Sequence, residues 1–155
     1  MIDIREDNLS GEAVRALIAL HLAGMQADST PGDSFALDRS GLESPDITVW
    51  SAWRGGALMG IAALKALADG GGEIKSMRTD PAHLRQGAAA ALLDHIIAEA
   101  RRRGYRRLSL ETGRGAAFEA ALTLYAKRGF TPGESFADYP DYGPGDFNQF
   151  LHLDL

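Results

Sequence analysis

The chain has 155 residues, 45% of them hydrophobic and 24% charged, close to the globular average and far from disordered, collagenous or membrane-spanning compositions. Without cysteine there is no disulfide, thiolate nucleophile or Cys-ligated metal; oxygen and nitrogen groups are left for any chemistry, in keeping with a reducing cytoplasm. The net charge of −5 disfavours non-specific nucleic-acid binding, the first nine residues lack an apolar signal core, and no apolar run nears the ~20 residues of a membrane span, so a soluble, cytoplasmic protein is expected.

In chain order, Ile2 and Ile4 alternate with Asp3 and Arg5 and predict a short first strand. Ser10 is expected to cap a first helix, in which Val14, Leu17, Ile18, His21, Leu22 and Met25 recur at helical spacing. Residues 26–45, with Pro31, Gly32, Asp33, Gly41 and Pro45, read as a long loop with one short helical turn. Two strands flank the turn Arg54-Gly55-Gly56-Ala57, one carrying Val49, Trp50 and Trp53 and the other Leu58, Met59, Ile61 and Leu64. A third strand, residues 73–79, follows Gly70-Gly71-Gly72; by period two it sets Glu73, Lys75, Met77 and Thr79 on one face and Ile74, Ser76 and Arg78 on the other.

A second helix, bearing Leu92, Leu93, Ile96, Ile97 and Ala100, stops at Gly104, and its end carries the basic stretch 101–107, where cations answer exposed carbonyls. Leu108, Leu110 and Glu111 belong to a strand, Phe118, Leu122 and Tyr125 to a helix ending at Gly129, and residues 134–139 and 147–155 to a terminal hairpin around a 140–146 loop. The strand, helix, strand, helix order requires a parallel crossover. The fold class is therefore α/β, one domain over residues 1–155, a three-layer α/β/α sandwich around a mixed, mostly antiparallel sheet.

The chemistry concentrates in Leu84-Arg85-Gln86-Gly87-Ala88-Ala89-Ala90, which follows a strand and opens a helix. A helix start leaves N–H donors unpaired and carries about half a positive charge, a setting for phosphate wherever backbone can come close. Gly87 and the three alanines remove obstructing side chains, and Arg85 adds a cation; the same small residues equally suit a helix packed tightly on a sheet. The P-loop and dinucleotide fingerprints do not occur. Leu124-Tyr125-Ala126-Lys127-Arg128-Gly129-Phe130 follows at the end of the next helix.

Residues 77–93 resemble the acyl-coenzyme A signature of the GNAT superfamily of N-acetyltransferases, usually Arg/Gln-x-x-Gly-x-Gly/Ala, and residues 124–130 are similar to that superfamily's Leu-Tyr-x-x-x-Gly-Phe element. The resemblance implies an acyl-CoA N-acyltransferase-like sheet with one splayed parallel strand pair, acetyl-CoA as co-substrate without a metal, and a primary amine of a small molecule or peptide as acceptor. Homodimers also occur in such proteins. Met77 and Thr79 would offer main-chain groups to the pantetheine arm, and Arg85, Gln86, Gly87, Ala88, Ala89 and Ala90 would surround the pyrophosphate. The sequence departs from the pattern at Leu84, where Arg or Gln is usual, and at Phe118, where many relatives place Asn.

Acetyl transfer by direct attack needs an unprotonated amine, an oxyanion donor and a proton for the leaving thiolate. An amine of pKa near 10.4 costs roughly 4 to 5 kcal/mol to present unprotonated at neutral pH, so a base is required. Glu111, at a strand end, is favoured over Glu73; Tyr125 is the expected acid, and a main-chain N–H near Met77 the expected oxyanion donor. Tyr139, Tyr142, Asn148 and Gln149, with residues 25–40, are expected to wall the acceptor pocket, and the four histidines show no metal-binding spacing. A non-catalytic acyl-CoA-binding module is the competing reading, and a nucleic-acid role rests on the 101–107 arginines alone.

Overall fold

A computed structural model describes residues 1–29, 34–143 and 145–155; Pro31, Gly32 and Asp33 of the first predicted loop and Pro144 of the last lie outside the described residues. Seven strands form one sheet: β1 (Asp3–Asp7), β2 (Ile47–Arg54), β3 (Ala57–Ala66), β4 (Gly72–Thr79), β5 (Arg107–Thr112), β6 (Thr131–Gly133) and β7 (Gln149–Asp154). They run in the order β1-β2-β3-β4-β5-β7-β6, and among the described residues β4 and β5 alone are parallel neighbours. Helices α1 (Glu12–Asp28) and α2 (Arg39–Leu42) cover one face, where Val14, Leu17, Ile18 and Leu42 pack on Val49 and Ile61. On the other, α3 (Ala88–Arg102) buries Leu92, Leu93 and Ile96 against Trp50, Leu64 and Leu108, a core that also takes in Tyr125 of α4 (Glu119–Lys127). The expected three-layer sandwich is thus the observed one.

Two local expectations give way. Helix α1 starts after Gly11, which takes the N-cap position without a side-chain cap, so Ser10 lies one residue too early; its hydroxyl donates to Asn8 Oδ1 at 2.6 Å. The last hairpin pairs β7 with residues 131–133 rather than 134–139. Pro132 is tolerated there because β6 lies at the sheet edge, and Gly133 leaves room for the His152 ring, 2.5 Å from where a Cβ would stand. Residues 134–139 instead lead to Tyr139, which meets Glu73 and Lys75 of β4. The basic stretch is largely neutralised, Arg102 and Arg103 by Glu99 and Arg107 by Asp154. Among the described residues no helix is long and apolar enough to cross a membrane.

Two features of β4 shape the site. The strand pairs with β5 at Gly72–Leu108 and Glu73–Ser109, and beyond that point the two diverge. Opposite β3, Ile61 pairs with Arg78 and Ala63 with Lys75, so β4 carries one extra residue, a bulge at Ser76 in the left-handed region (φ 53°). The bulge overturns the predicted alternation. Ile74, Met77 and Thr79 share the α3 side, with Met77 packed on the α3 core, whereas Glu73 and Lys75 share the α1 side with Arg78, whose guanidinium lies against Gly24.

Gly60 of β3 permits this close approach, since a Cβ there would stand 2.8 Å from the Arg78 carbonyl oxygen. Gly60→Ala is expected to cost about 1 to 3 kcal/mol in urea unfolding, because backbone and not a flexible side chain must move.

Candidate active site

The loop after β4 leads into a helix head without a side-chain cap. Asp80 donates its amide to the Met59 carbonyl and accepts from Ala82 N at 2.8 Å, fixing a tight turn at Pro81–His83. Arg85 (φ 61°) and Gly87 (φ 91°) then bend the chain into α3, whose N-cap is Gly87 and whose first amides receive no side-chain cap. Arg85, Gln86 and Gly87 are exposed, and Ala89 and Ala90 half-buried; Ala88 packs its methyl into the core and so offers only its amide. Leu84 points to solvent, 58% exposed. Arg54 at the end of β2, unremarkable in the sequence, reaches the Gln86 side chain at 3.2 Å and its carbonyl at 3.4 Å and pins the loop.

From this loop β4 runs back along a cleft of about 150 Å³ between the diverging strands, α1, α4 and the 134–143 segment. Tyr125 lines it, packed edge-on against Phe130, with its hydroxyl directed at the Met77 sulfur at 3.7 Å. A thioether is a weak acceptor, so the proton is available to a better one. Burial pushes the phenol up to about 12, which keeps it protonated.

Both predicted carboxylates line the same cleft. Glu73, 2% exposed, accepts from Lys75 Nζ at 3.2 Å and from the Tyr139 hydroxyl, while Lys75 also reaches that hydroxyl at 2.8 Å. Burial, followed by the Glu73 and Glu111 charges, drives the Tyr139 phenol well above its ordinary range, so it stays protonated, donating to Glu73 while accepting from Lys75. Phe35, Phe136 and Phe150 hold its ring at centroid distances of 5.2, 5.1 and 5.7 Å. Glu111, half-buried, accepts from Asn148 Nδ2 at 2.8 Å, and Asn148 itself is fully buried.

Of the predicted walls, Tyr139 faces the cleft with Met25, Asp28, Phe35 and Ala36. Tyr142 instead stacks on Phe150, and Gln149 donates to the Gly113 carbonyl. Phe118 packs edge-on against Phe147 over Gly113. Lys75, Ser76, Arg78 and His21 were not anticipated in the site. Helical spacing marks His21 only as inward-facing, and no pattern announces the bulge that brings Ser76 and Arg78 to the cleft. The remaining histidines lie apart, and among the described residues no three His, Asp or Glu side chains gather as a metal-holding group.

His21 is buried and its pKa pushed down to about 4, first by burial and then by the Arg78 charge. Its folded form stays neutral where the unfolded chain, titrating near 6.5, takes up a proton. The associated stability is full above that pH and falls as pH drops toward 4, by about 2 kcal/mol between pH 6.5 and 5. Urea unfolding across that interval should show a steeper decline for the wild type than for His21→Leu.

Comparison with known proteins agrees with this geometry. Residues 15–130 match the Acetyltransferase (GNAT) family. The chain is 50% identical to the uncharacterised N-acetyltransferase YedL of Escherichia coli K12 over 139 residues, covering 90% of this chain and 87% of that protein. It is 52% identical to the uncharacterised N-acetyltransferase YsnE of Bacillus subtilis 168 over 136 residues, covering 88% and 90%. A crystal structure of a provisionally assigned acyl-CoA N-acyltransferase from Klebsiella pneumoniae subsp. pneumoniae MGH 78578 superposes with a TM-score of 0.77 at 28% identity, covering 100% of this chain and 98% of that one. The chain belongs to the GNAT acetyltransferase family and is an acyltransferase.

Proposed function

We propose that this protein transfers the acetyl group of acetyl-CoA to a primary amine of a small molecule or peptide by direct attack. The observation that carries the reading is one continuous β4, which leads from the carboxylates Glu73 and Glu111 past the Tyr125 hydroxyl to the uncapped head of α3. The residues present fit the co-substrate. The α3 amides from Ala88 onward, with the helix dipole behind them and Arg85 alongside, suit a diphosphate. The β4 edge that diverges from β5, including the Met77 and Thr79 main chain, suits an extended pantetheine arm laid down like a strand.

Acetyl-CoA supplies the activated acyl carbon as a thioester. Tyr125 then gives its proton to the departing sulfur. On reference values the transfer from phenol to thiolate opposes by ~2 kcal/mol. The burial that raises Tyr125 raises the thiolate in the same cleft as well, so the gap does not widen by the full shift of the phenol. A main-chain N–H at the Ser76 bulge, that of Met77, serves the carbonyl oxygen as negative charge develops on it. Glu111 takes the amine proton, oriented by Asn148. Glu73 is engaged by Lys75 and Tyr139 and acts as the fixed negative charge that draws an ammonium group into the cleft.

Incubation with acetyl-CoA and an amine library, with free thiol recorded, tests the reading; absence of both cofactor binding and thiol release would sink it. Tyr125→Phe is expected to lower kcat by about 10²-fold. Glu111→Gln should lower kcat/KM by a similar factor and remove its acidic limb in the pH profile. Glu73→Gln should show its effect in stability, about 1 to 3 kcal/mol, since two buried donors lose a charged acceptor. Ala89→Asp separates the helix head from the fold: a carboxylate in the first turn favours the helix but repels a diphosphate. Calorimetry should report coenzyme A affinity down by at least about tenfold with an unchanged or raised melting temperature.

A further inference from the structure

Beyond the carboxylates and Tyr125, the cleft holds polar groups for which the reaction has no use. Arg78 is half-buried at the cleft wall, and among the described residues no carboxylate lies within ion-pair reach of its guanidinium and no acceptor within hydrogen-bond reach. Both its terminal nitrogens would stand 3.2 Å from a Cβ at Gly24 of α1, so the guanidinium lies close against the helix and an added methyl there would push it aside by a few tenths of an ångström. One turn earlier on the same helix face, His21 buries its Nδ1 without a partner, and on β4 the bulged Ser76 buries its Oγ without a partner. All three side chains line the one cleft. A buried polar atom without a partner is destabilising, and two in one cavity beside an unpaired guanidinium mark the outline of a missing ligand.

We propose that the acceptor amine also carries a carboxylate, which binds Arg78, His21 and Ser76 on the α1 wall while its amino group faces Glu111 and Glu73 across the cleft. This rests on the acetyl-transfer reading above and narrows it to amino acids and related amino carboxylates. The donor types match: the guanidinium supplies two parallel N–H groups, the imidazole, held neutral by its burial, one N–H in the tautomer protonated at Nδ1, and the serine one O–H, all suited to an acceptor-only oxyanion. The cleft carries charge of both signs, as a zwitterion needs: Arg78 without an ion-pair partner, Lys75 paired with Glu73 on β4, Asp28 on α1 and Glu111 on β5. A polyamine or aminoglycoside would leave Arg78 facing a like charge.

The experiment measures thiol release from acetyl-CoA over the common L-amino acids, β-alanine and γ-aminobutyrate, each paired with its carboxamide, and reads the acid-to-amide ratio of kcat/KM. The wild type is expected to prefer the acid by at least about tenfold, and Arg78→Met to lower the ratio by roughly 10- to 100-fold, the span of a charge-assisted hydrogen bond. Gly24→Ala displaces the guanidinium without touching the reacting atoms and should lower the ratio in the same direction, which keeps the test open should Arg78→Met melt early. Amides used as well as acids, or a ratio indifferent to both variants, overturns the proposal and leaves acetyl transfer standing. If neither member of any pair releases thiol, saturation-transfer NMR in the presence of coenzyme A decides. Acid signals that exceed those of the amides and fade in Arg78→Met support the proposal, and equal or absent signals overturn it. Failure of the acetyl-transfer reading has its own signature, no coenzyme A binding at all.

Discussion

β4 parts from β5 immediately after Glu73, and a bulge at Ser76 then turns the remainder of the strand. Parallel pairing is weaker per residue than antiparallel pairing, which makes this junction the natural place for the sheet to open. Antiparallel partners on either side, β3 against β4 and β7 against β5, keep each strand straight enough to hold the gap. An open strand edge in the middle of a sheet leaves N–H and C=O groups that want a partner, and an extended ligand can supply them without any specific side chain. The bulge adds the second ingredient. It moves Met77 to the α3 side, beneath Tyr125, and Arg78 to the α1 side, beside His21, so one short strand serves the two halves of the cleft with different chemistry.

The division of labour follows from burial. On the α3 side the polar groups are few and soft: a phenol against a thioether, surrounded by Phe130 and Phe118. That environment favours neutral forms and suits the delivery of a proton. On the α1 side charges accumulate, with Glu73, Lys75 and Tyr139 linked in a buried network and Glu111 oriented by Asn148. Removing one member of such a network leaves its partners buried without compensation, so the network defines its geometry sharply. Tyr139 is the point at which the distant 134–143 segment enters the site, and its aromatic contacts with Phe35 and Phe150 couple the loop before α2 to β7.

Much of this was legible in the amino-acid sequence, and what was not has a physical cause. The head of α3 could be read because glycine and alanine at a helix start carry a backbone requirement in their own identity. Tyr125 could be placed because Leu124-Tyr125 and Gly129-Phe130 bracket a helix end. The bulge could not, because the left-handed residue is Ser76 rather than glycine, held there by strand pairing that joins distant parts of the chain. Missing the bulge put Met77 on the wrong face and hid Arg78. The partners of Glu73 and Glu111 escaped for a related reason: Tyr139 and Asn148 lie 66 and 37 residues away and meet the carboxylates only through tertiary packing. The terminal hairpin was displaced because an edge strand tolerates the proline that would argue against a central one.

The two departures from the family pattern bear on how this site holds its co-substrate. Leu84 stands in solvent where the motif usually has Arg or Gln, yet the loop it belongs to is fixed from both ends, by the Asp80 turn and by Arg54 on Gln86. The fixing contacts therefore come largely from outside the motif, and in the proposed reading the anion grip falls to main-chain amides together with Arg85. Phe118 likewise replaces a polar side chain, and Gly113 is compressed beneath it, since a Cβ there would stand 2.4 Å from Phe147 and 2.7 Å from Phe118. That packing sets the Phe118 ring in the cleft wall, backed edge-on by Phe147. In the proposed reading, with the usual polar side chain given up at both positions, recognition of the donor rests on backbone and Arg85, while the side chains of the α1 wall discriminate among acceptors.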